Sequence, residues 1–153
     1  AQAKAYYEVL LRDGGFDNES AARYGYTLAL IEARDLERAR IELGKLLVEQ
    51  PRLPAFRLLQ AKLEQEAGNR RVALDLLKKL HADEPESRAA AYSYVALLNQ
   101  TGQPEVAKQV LRDFGVADER EPRFYKLLAE AEERLGDQAN SRYNLAEYYR
   151  SVG

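Results

Sequence analysis

The chain has 153 residues, 46% of them apolar, which is enough for one core, and no run approaches the roughly 20 apolar residues of a membrane helix. A formal net charge of −2 disfavours a nucleic-acid surface, and the absence of Cys removes disulfides and thiolate metal sites. The opening residues lack the basic start, apolar middle and small-residue cleavage site of a signal peptide, and with no Met there is no initiator, so the chain is expected to be a fragment of a longer one.

Residues 1 to about 12 read as one helix, stopped by Asp13-Gly14-Gly15 because glycine takes the left-handed conformation cheaply. From Ser20 to about Leu53 a first helix carries Tyr24, Tyr26, Leu28, Leu30 and Ile31. A second carries Leu36, Ala39, Leu43, Leu46 and Leu47, spaced by three and four into one apolar stripe. Arg34-Asp35 fills the turn between them. From Pro54 to about Ser87 the plan returns, with Phe56, Leu59 and Leu63 before Gly68, and Ala73, Leu77 and Leu80 after it. Pro54 suits a first helical turn, where no amide donor is needed. From Arg88 to about Glu121 come Tyr92, Tyr94, Val95 and Leu98, then Gly102, Pro104, Ala107 and Leu111, with Gly115 as the stop. The last stretch starts at Pro122 behind a capping box, Asp118-x-x-Glu121. It carries Phe124, Leu127 and Leu128, then Gly136, Ser141, Leu145, Tyr148 and Tyr149.

The stretches superimpose on a period of 34 residues. Ala5, Ala39, Ala73 and Ala107 share one register with Ser141. Val9, Leu43, Leu77, Leu111 and Leu145 share a second, and Gly68, Gly102 and Gly136 a third. A small residue recurs where two helices approach closely, because a bulky side chain there would force them apart. This period with these registers resembles the tetratricopeptide repeat, a helix-turn-helix unit stacked into a solenoid. The resemblance implies an all-α, right-handed solenoid of antiparallel helix pairs with about nine helices. Its parts are a half repeat at 1–19 and repeats at 20–53, 54–87, 88–121 and 122–153, in one domain spanning 1–153. No polar helix covers the last apolar face, which a solenoid normally needs, so truncation is expected at both ends. Weak self-association through the uncovered ends is expected too.

No enzymatic constellation is visible. His81 is the only histidine and stands near a helix end, where a cation suits the dipole. Glu64 with Glu66, and Glu132 with Glu133, are neighbours that do not face each other on a helix and read as solvated faces. Gly14-Gly15 fits neither phosphate-loop pattern, and Arg70-Arg71 and Lys78-Lys79 are too short for a nucleic-acid patch. No catalytic residue, metal site or cofactor is expected.

Tyrosines are more informative. Tyr24 and Tyr92 stand two periods apart, as do Tyr26 and Tyr94. Tyr26 and Tyr94 fall at a packing position. Tyr24 and Tyr92 fall where first-helix side chains point into the concave groove of such a solenoid, and tyrosine suits interfaces. The expected partner groove is Tyr24, Leu28, Ile31, Leu58, Lys62, Tyr92, Ala96 and Asn99. The same positions in the last repeat, Arg123, Lys126, Glu130, Glu133 and Arg134, are all charged. A groove graded from apolar to charged suits an extended or partly unfolded polypeptide.

Three stretches narrow the resemblance. Tyr6-Tyr7-Glu8 through Asp13-Gly14-Gly15-Phe16, Ala22 through Leu30, and Leu145-Ala146-Glu147-Tyr148-Tyr149 resemble the C-terminal tetratricopeptide tail of periplasmic zinc metalloproteases of the BepA type. In that M48-like family an H-E-x-x-H protease domain precedes the tail. The resemblance implies a non-catalytic, periplasmic tail that engages outer-membrane assembly machinery and its substrates in quality control. This sequence lacks the H-E-x-x-H half. The alternative is a stand-alone cytoplasmic adaptor that binds a peptide in its groove. A carboxylate clamp in that groove needs Lys and Asn, and Lys62 is the one cation at the groove positions of the first two repeats.

Overall fold

The computed structural model describes residues 2–114 and 121–153. The expected stop at Gly115 and the Asp118 end of the capping box lie outside the described residues. Among the described residues the chain is helical and carries no strand. In order the helices are α1 (Gln2–Asp13), α2 (Glu19–Glu32), α3 (Leu36–Glu49), α4 (Pro54–Glu66), α5 (Arg70–Asp83), α6 (Arg88–Gln100), α7 (Pro104–Phe114), α8 (Pro122–Arg134) and α9 (Gln138–Val152).

One local device ends the first helix of each pair. The amides of Asp35, Asn69, Gln103 and Asp137 donate to the carbonyls of Leu30, Glu64, Leu98 and Glu132 at 2.8–2.9 Å. The amides just before them, from Arg34, Gly68, Gly102 and Gly136, donate to Ile31, Gln65, Asn99 and Glu133. This double bond is the Schellman motif, which needs a left-handed residue just past the helix. The three glycines take φ of 85°, 75° and 77°, and Arg34 takes 61° in their place. The residue after the turn then opens the next helix: Ala39, Ala73, Ala107 and Ser141 donate back to Asp35, Asn69, Gln103 and Asp137. Helix starts are equally local. Asn18 caps α2 through the Ala21 amide at 3.0 Å, placing the start ahead of the expected Ser20, and Ser87 caps α6 through Ala90.

Arg34 therefore carries strain that glycine would not. The left-handed region costs a residue with a Cβ about 1–2 kcal/mol. Arg34 also pairs with Glu66 at 2.7 Å, but both side chains are well exposed, and such pairs contribute about 0–1 kcal/mol. Arg34→Gly is expected to raise the melting temperature by a few degrees, an increase of up to about 1 kcal/mol. Arg34→Ala keeps the strain and loses the pair, so calorimetry should show no gain.

The helices group into two compact units, residues 1–76 and 77–153, with the boundary inside α5. In the first unit Tyr26, Leu30, Leu43, Leu46, Phe56 and Leu59 of α2, α3 and α4 form the core. Tyr7 and Leu11 of α1 pack against it. A Cβ on Gly25 would run into the Tyr7 ring, so glycine in mid-helix, at a cost of about 1 kcal/mol, makes the seat for α1. Lys4 bonds Asp35 at 2.6 Å, and Glu8 receives Arg38 at 3.0 Å, holding α1 at its edges. In the second unit Tyr94, Val95 and Leu98 of α6, Leu111 of α7, and Phe124 and Leu127 of α8 are buried. The small-residue register is fully buried at Ala39, Ala73 and Ala107, while Ala5 is exposed and Ser141 half-buried.

Two of the four carboxylates expected on solvated faces are inside, while Glu66 is half-buried and Glu133 exposed. Glu64 is 9% exposed and Glu132 is 3%. Each sits at the position held by Leu30 and Leu98 in the other repeats. Each is tolerated because a cation on the preceding helix reaches it. Arg40 grips Glu64 with both terminal guanidinium nitrogens, and Asn69 donates to the same carboxylate at 2.7 Å. Lys108 meets Glu132 at 3.1 Å, with Asn144 donating at 2.7 Å.

The bond from Arg40 holds the Glu64 carboxyl below the usual carboxylate range; burial opposes the shift and Asn69 adds to it. A depressed folded-state pKa stabilises the fold fully above the unfolded value of about 4.3, and that part is lost as pH falls through the folded value. Denaturant midpoints of the parent chain should therefore fall more steeply below about pH 4 than those of Glu64→Gln. Parallel curves would detach Glu64 from the acid response.

Candidate polypeptide-binding clefts

Each unit carries its own cleft. In residues 1–76 a groove of about 310 Å³ opens between the starts of α2 and α4. Tyr24, Leu53 and Phe56 give it apolar walls, with Ala21 and Ala55 leaving room. The Tyr24 and Phe56 rings stack with centroids 6.2 Å apart and planes at 29°. Ser20 and Asn18 at the rim are committed, Ser20 to Glu49 at 2.7 Å and Asn18 to the α2 cap. The groove is shaped for an apolar or aromatic side chain.

In residues 77–153 a cleft of about 510 Å³ runs between α6, the first half of α8 and the end of α9. Leu127 and Ala96 form its floor, and Tyr148 and Val152 wall it from α9. Arg123, Lys126 and Glu130 project from α8 at spacings that place them on one face. The Arg123 guanidinium lies 5.6 Å from the centre of the Tyr92 ring, which holds it by cation–π attraction. Glu121 at the mouth is neutralised by Arg88 at 3.4 Å. Lys126 and Glu130 form no ion pair among the described residues, so a cation and an anion one turn apart are available to a polar backbone or mixed-charge segment.

The expected groove residues divide. Tyr24 lines the first cleft and Ala96 the second. Leu28 is half-buried against the core of the first unit, Leu58 is half-buried, and Lys62 is exposed on α4. Ile31, Tyr92 and Asn99 are corrected: they are 1%, 5% and 1% exposed and belong to the interior. Ile31 is enclosed in the cluster of α2, α3 and α4. The Tyr92 ring is covered by Phe114 at 5.9 Å and by Arg123, and Asn99 Nδ2 donates to the Leu127 carbonyl at 3.1 Å. Of the charged last-repeat positions, Arg123, Lys126 and Glu130 line the second cleft, and Glu133 and Arg134 lie outside it. Sequence reasoning missed Leu53 and Phe56 in the first cleft, and Tyr148 and Val152 in the second. Phe56 recurs two periods on as Phe124, which is buried and lines neither cleft, and Tyr148 shares a register with Leu46, Leu80 and Phe114, so in both cases the repeat pattern pointed to core.

Residues 65–131 match the tetratricopeptide repeat family model. No curated protein matches the chain in sequence. Among solved structures it is similar to MamA 41-end from Desulfovibrio magneticus RS-1, at 18% identity and TM-score 0.73 over 99% of this chain and 84% of that one. It is also similar to TTC0263, a thermophilic tetratricopeptide protein of Thermus thermophilus, at 17% identity and TM-score 0.75 over 97% and 80%. A tetratricopeptide repeat protein from Parabacteroides merdae gives 18% identity and TM-score 0.76 over 98% of this chain and 59% of that one. These likenesses speak to fold and say nothing for a metalloprotease tail. Residues 65–131 are similar to tetratricopeptide repeat sequence, and the all-α fold of the chain is that of tetratricopeptide solenoid proteins.

Proposed function

We propose that the protein is a non-catalytic interaction module that binds extended or partly unfolded polypeptide. The cleft of residues 1–76 takes an apolar side chain, and the cleft of residues 77–153 takes a polar or mixed-charge stretch. The observation that carries this is the second cleft, where Arg123, Lys126 and Glu130 stand over an apolar floor. Carboxymethylated α-lactalbumin, which is permanently unfolded, serves as the probe. Tyr24→Ala combined with Lys126→Ala is expected to weaken its binding at least tenfold, since anchor aromatics at true hot spots cost about 2 kcal/mol or more. Circular dichroism should show helicity retained. Unchanged affinity would remove both clefts from the binding site.

Two settings suit such a module. One is the partner-binding tail of a periplasmic H-E-x-x-H zinc metalloprotease in outer-membrane protein quality control, supported by the three stretches that resemble such tails. The other is a stand-alone adaptor in the cytoplasm, which the tetratricopeptide proteins sharing its fold suit equally well. The parent gene separates them: an H-E-x-x-H motif encoded upstream of Ala1 supports the tail, and an upstream frame without one supports the adaptor.

A further inference from the structure

Tyr24 and Tyr92 share one register, but what stands over the two rings differs. In residues 77–153 the Arg123 guanidinium lies 5.6 Å from the centre of the Tyr92 ring, and Arg88 pairs with Glu121 at 3.4 Å. The registers of Arg123, Arg88 and Glu121 are held two periods earlier by Ala55, Ser20 and Leu53. All three of these shorter or apolar residues line the first cleft. Its volume of about 310 Å³ is therefore room that longer polar side chains take in the other unit. Tyr92 is 5% exposed beneath its cation, whereas Tyr24 is only half-buried.

No charged side chain among the described residues lines the first cleft. At its rim the Ser20 hydroxyl donates to Glu49 at 2.7 Å, and that exposed carboxylate forms no ion pair among the described residues. A cation in the cleft would meet an aromatic face, no lining cation to repel it, and a carboxylate one hydrogen bond from the rim.

We propose that the first cleft seats an arginine side chain of the bound polypeptide, with its guanidinium over Tyr24 as Arg123 lies over Tyr92. The assignment rests on the first cleft being a polypeptide site, and it names the guest. The methylene stem of arginine is the apolar part that Leu53 and Phe56 enclose, and its planar head stacks on the ring. A lysine ammonium, compact and strongly hydrated, would keep less of that contact. The cleft lies between α2 and α4, successive first helices that are both present, so a further repeat stacked on either end of the chain would leave it open.

The probes are three nonapeptides in an alanine–serine host that differ only in a central arginine, citrulline or leucine. They are titrated into the isotope-labelled whole chain and followed by NMR. The amide signals of Ala21, Tyr24 and Ala55 should move, with arginine bound about fivefold more tightly than citrulline, which has the same shape and no charge. Tyr24→Leu keeps an apolar wall and loses the π face, so it should reduce that preference to within about twofold. Ala55→Arg fills the seat from within and should weaken the arginine peptide about tenfold, with helicity retained in circular dichroism. Leucine bound as tightly as arginine at the same signals would keep the cleft as an apolar polypeptide site and overturn the arginine assignment. Equal affinity for arginine and citrulline overturns it too. An arginine preference that survives Tyr24→Leu overturns the stacking. No movement of the cleft signals with any of the three peptides overturns both the assignment and the polypeptide site beneath it.

Discussion

Tyr92→Ala is expected to lower the stability of the chain by about 3–5 kcal/mol, the range for removing a buried aromatic side chain. The ring is 5% exposed, with Phe114 edge-on at 5.9 Å and the Arg123 guanidinium above it. Truncation leaves a cavity and releases Arg123 from its seat. Tyr24, two periods earlier, is half-buried at the rim of a cleft, so Tyr24→Ala should cost markedly less. Urea titrations of the two variants measure the difference. A Tyr92→Ala chain that is as stable as the parent but deficient in binding would return Tyr92 to the partner surface.

Glu132→Ala is expected to cost about 3 kcal/mol, because removing one member of a buried pair strands the other. Lys108, with a side chain only 18% exposed, would keep Asp137 at 4.0 Å as its one remaining carboxylate among the described residues. Asn144 is less affected, since it also donates to the Asn140 carbonyl at 3.1 Å. Replacing both members at once should behave differently. The same two register positions one repeat earlier hold Leu74 and Leu98. Lys108→Leu with Glu132→Leu should therefore be near neutral or stabilising, as apolar replacements of buried pairs often are. A double variant as unstable as Glu132→Ala would mean that the pair contributes more than its own desolvation.

The repeat was legible because its signals are local. Gly68, Gly102 and Gly136 mark left-handed turns, Pro54 and Pro122 mark first turns, and small residues at 39, 73 and 107 mark close approach. Each is decided within one turn of helix, so one sequence suffices to read it. Ile31, Tyr92 and Asn99 were misplaced because groove and interior are adjacent faces of the same helix. Which face a residue joins depends on the neighbouring helix, which for Tyr92 means Phe114 and Arg123. Glu64 and Glu132 were misread because carboxylates are rarely buried unless paired, and their partners stand on another helix. Arg40 and Lys108 recurring two periods apart, each the same distance ahead of its acid, was the signal for the pairing.

Helix α1 buries none of its own residues and rests on the Tyr7 ring over Gly25, with polar contacts at its edges. Its opening exposes little apolar surface and breaks few bonds to the rest of the molecule, so it lies at the low end of the ladder of local unfolding. Amide protons between Gln2 and Asp13 should exchange with solvent in events that leave α2 and α3 closed. A protease acting on that open form would cut between Gln2 and Asp13 while α2 and α3 stay folded.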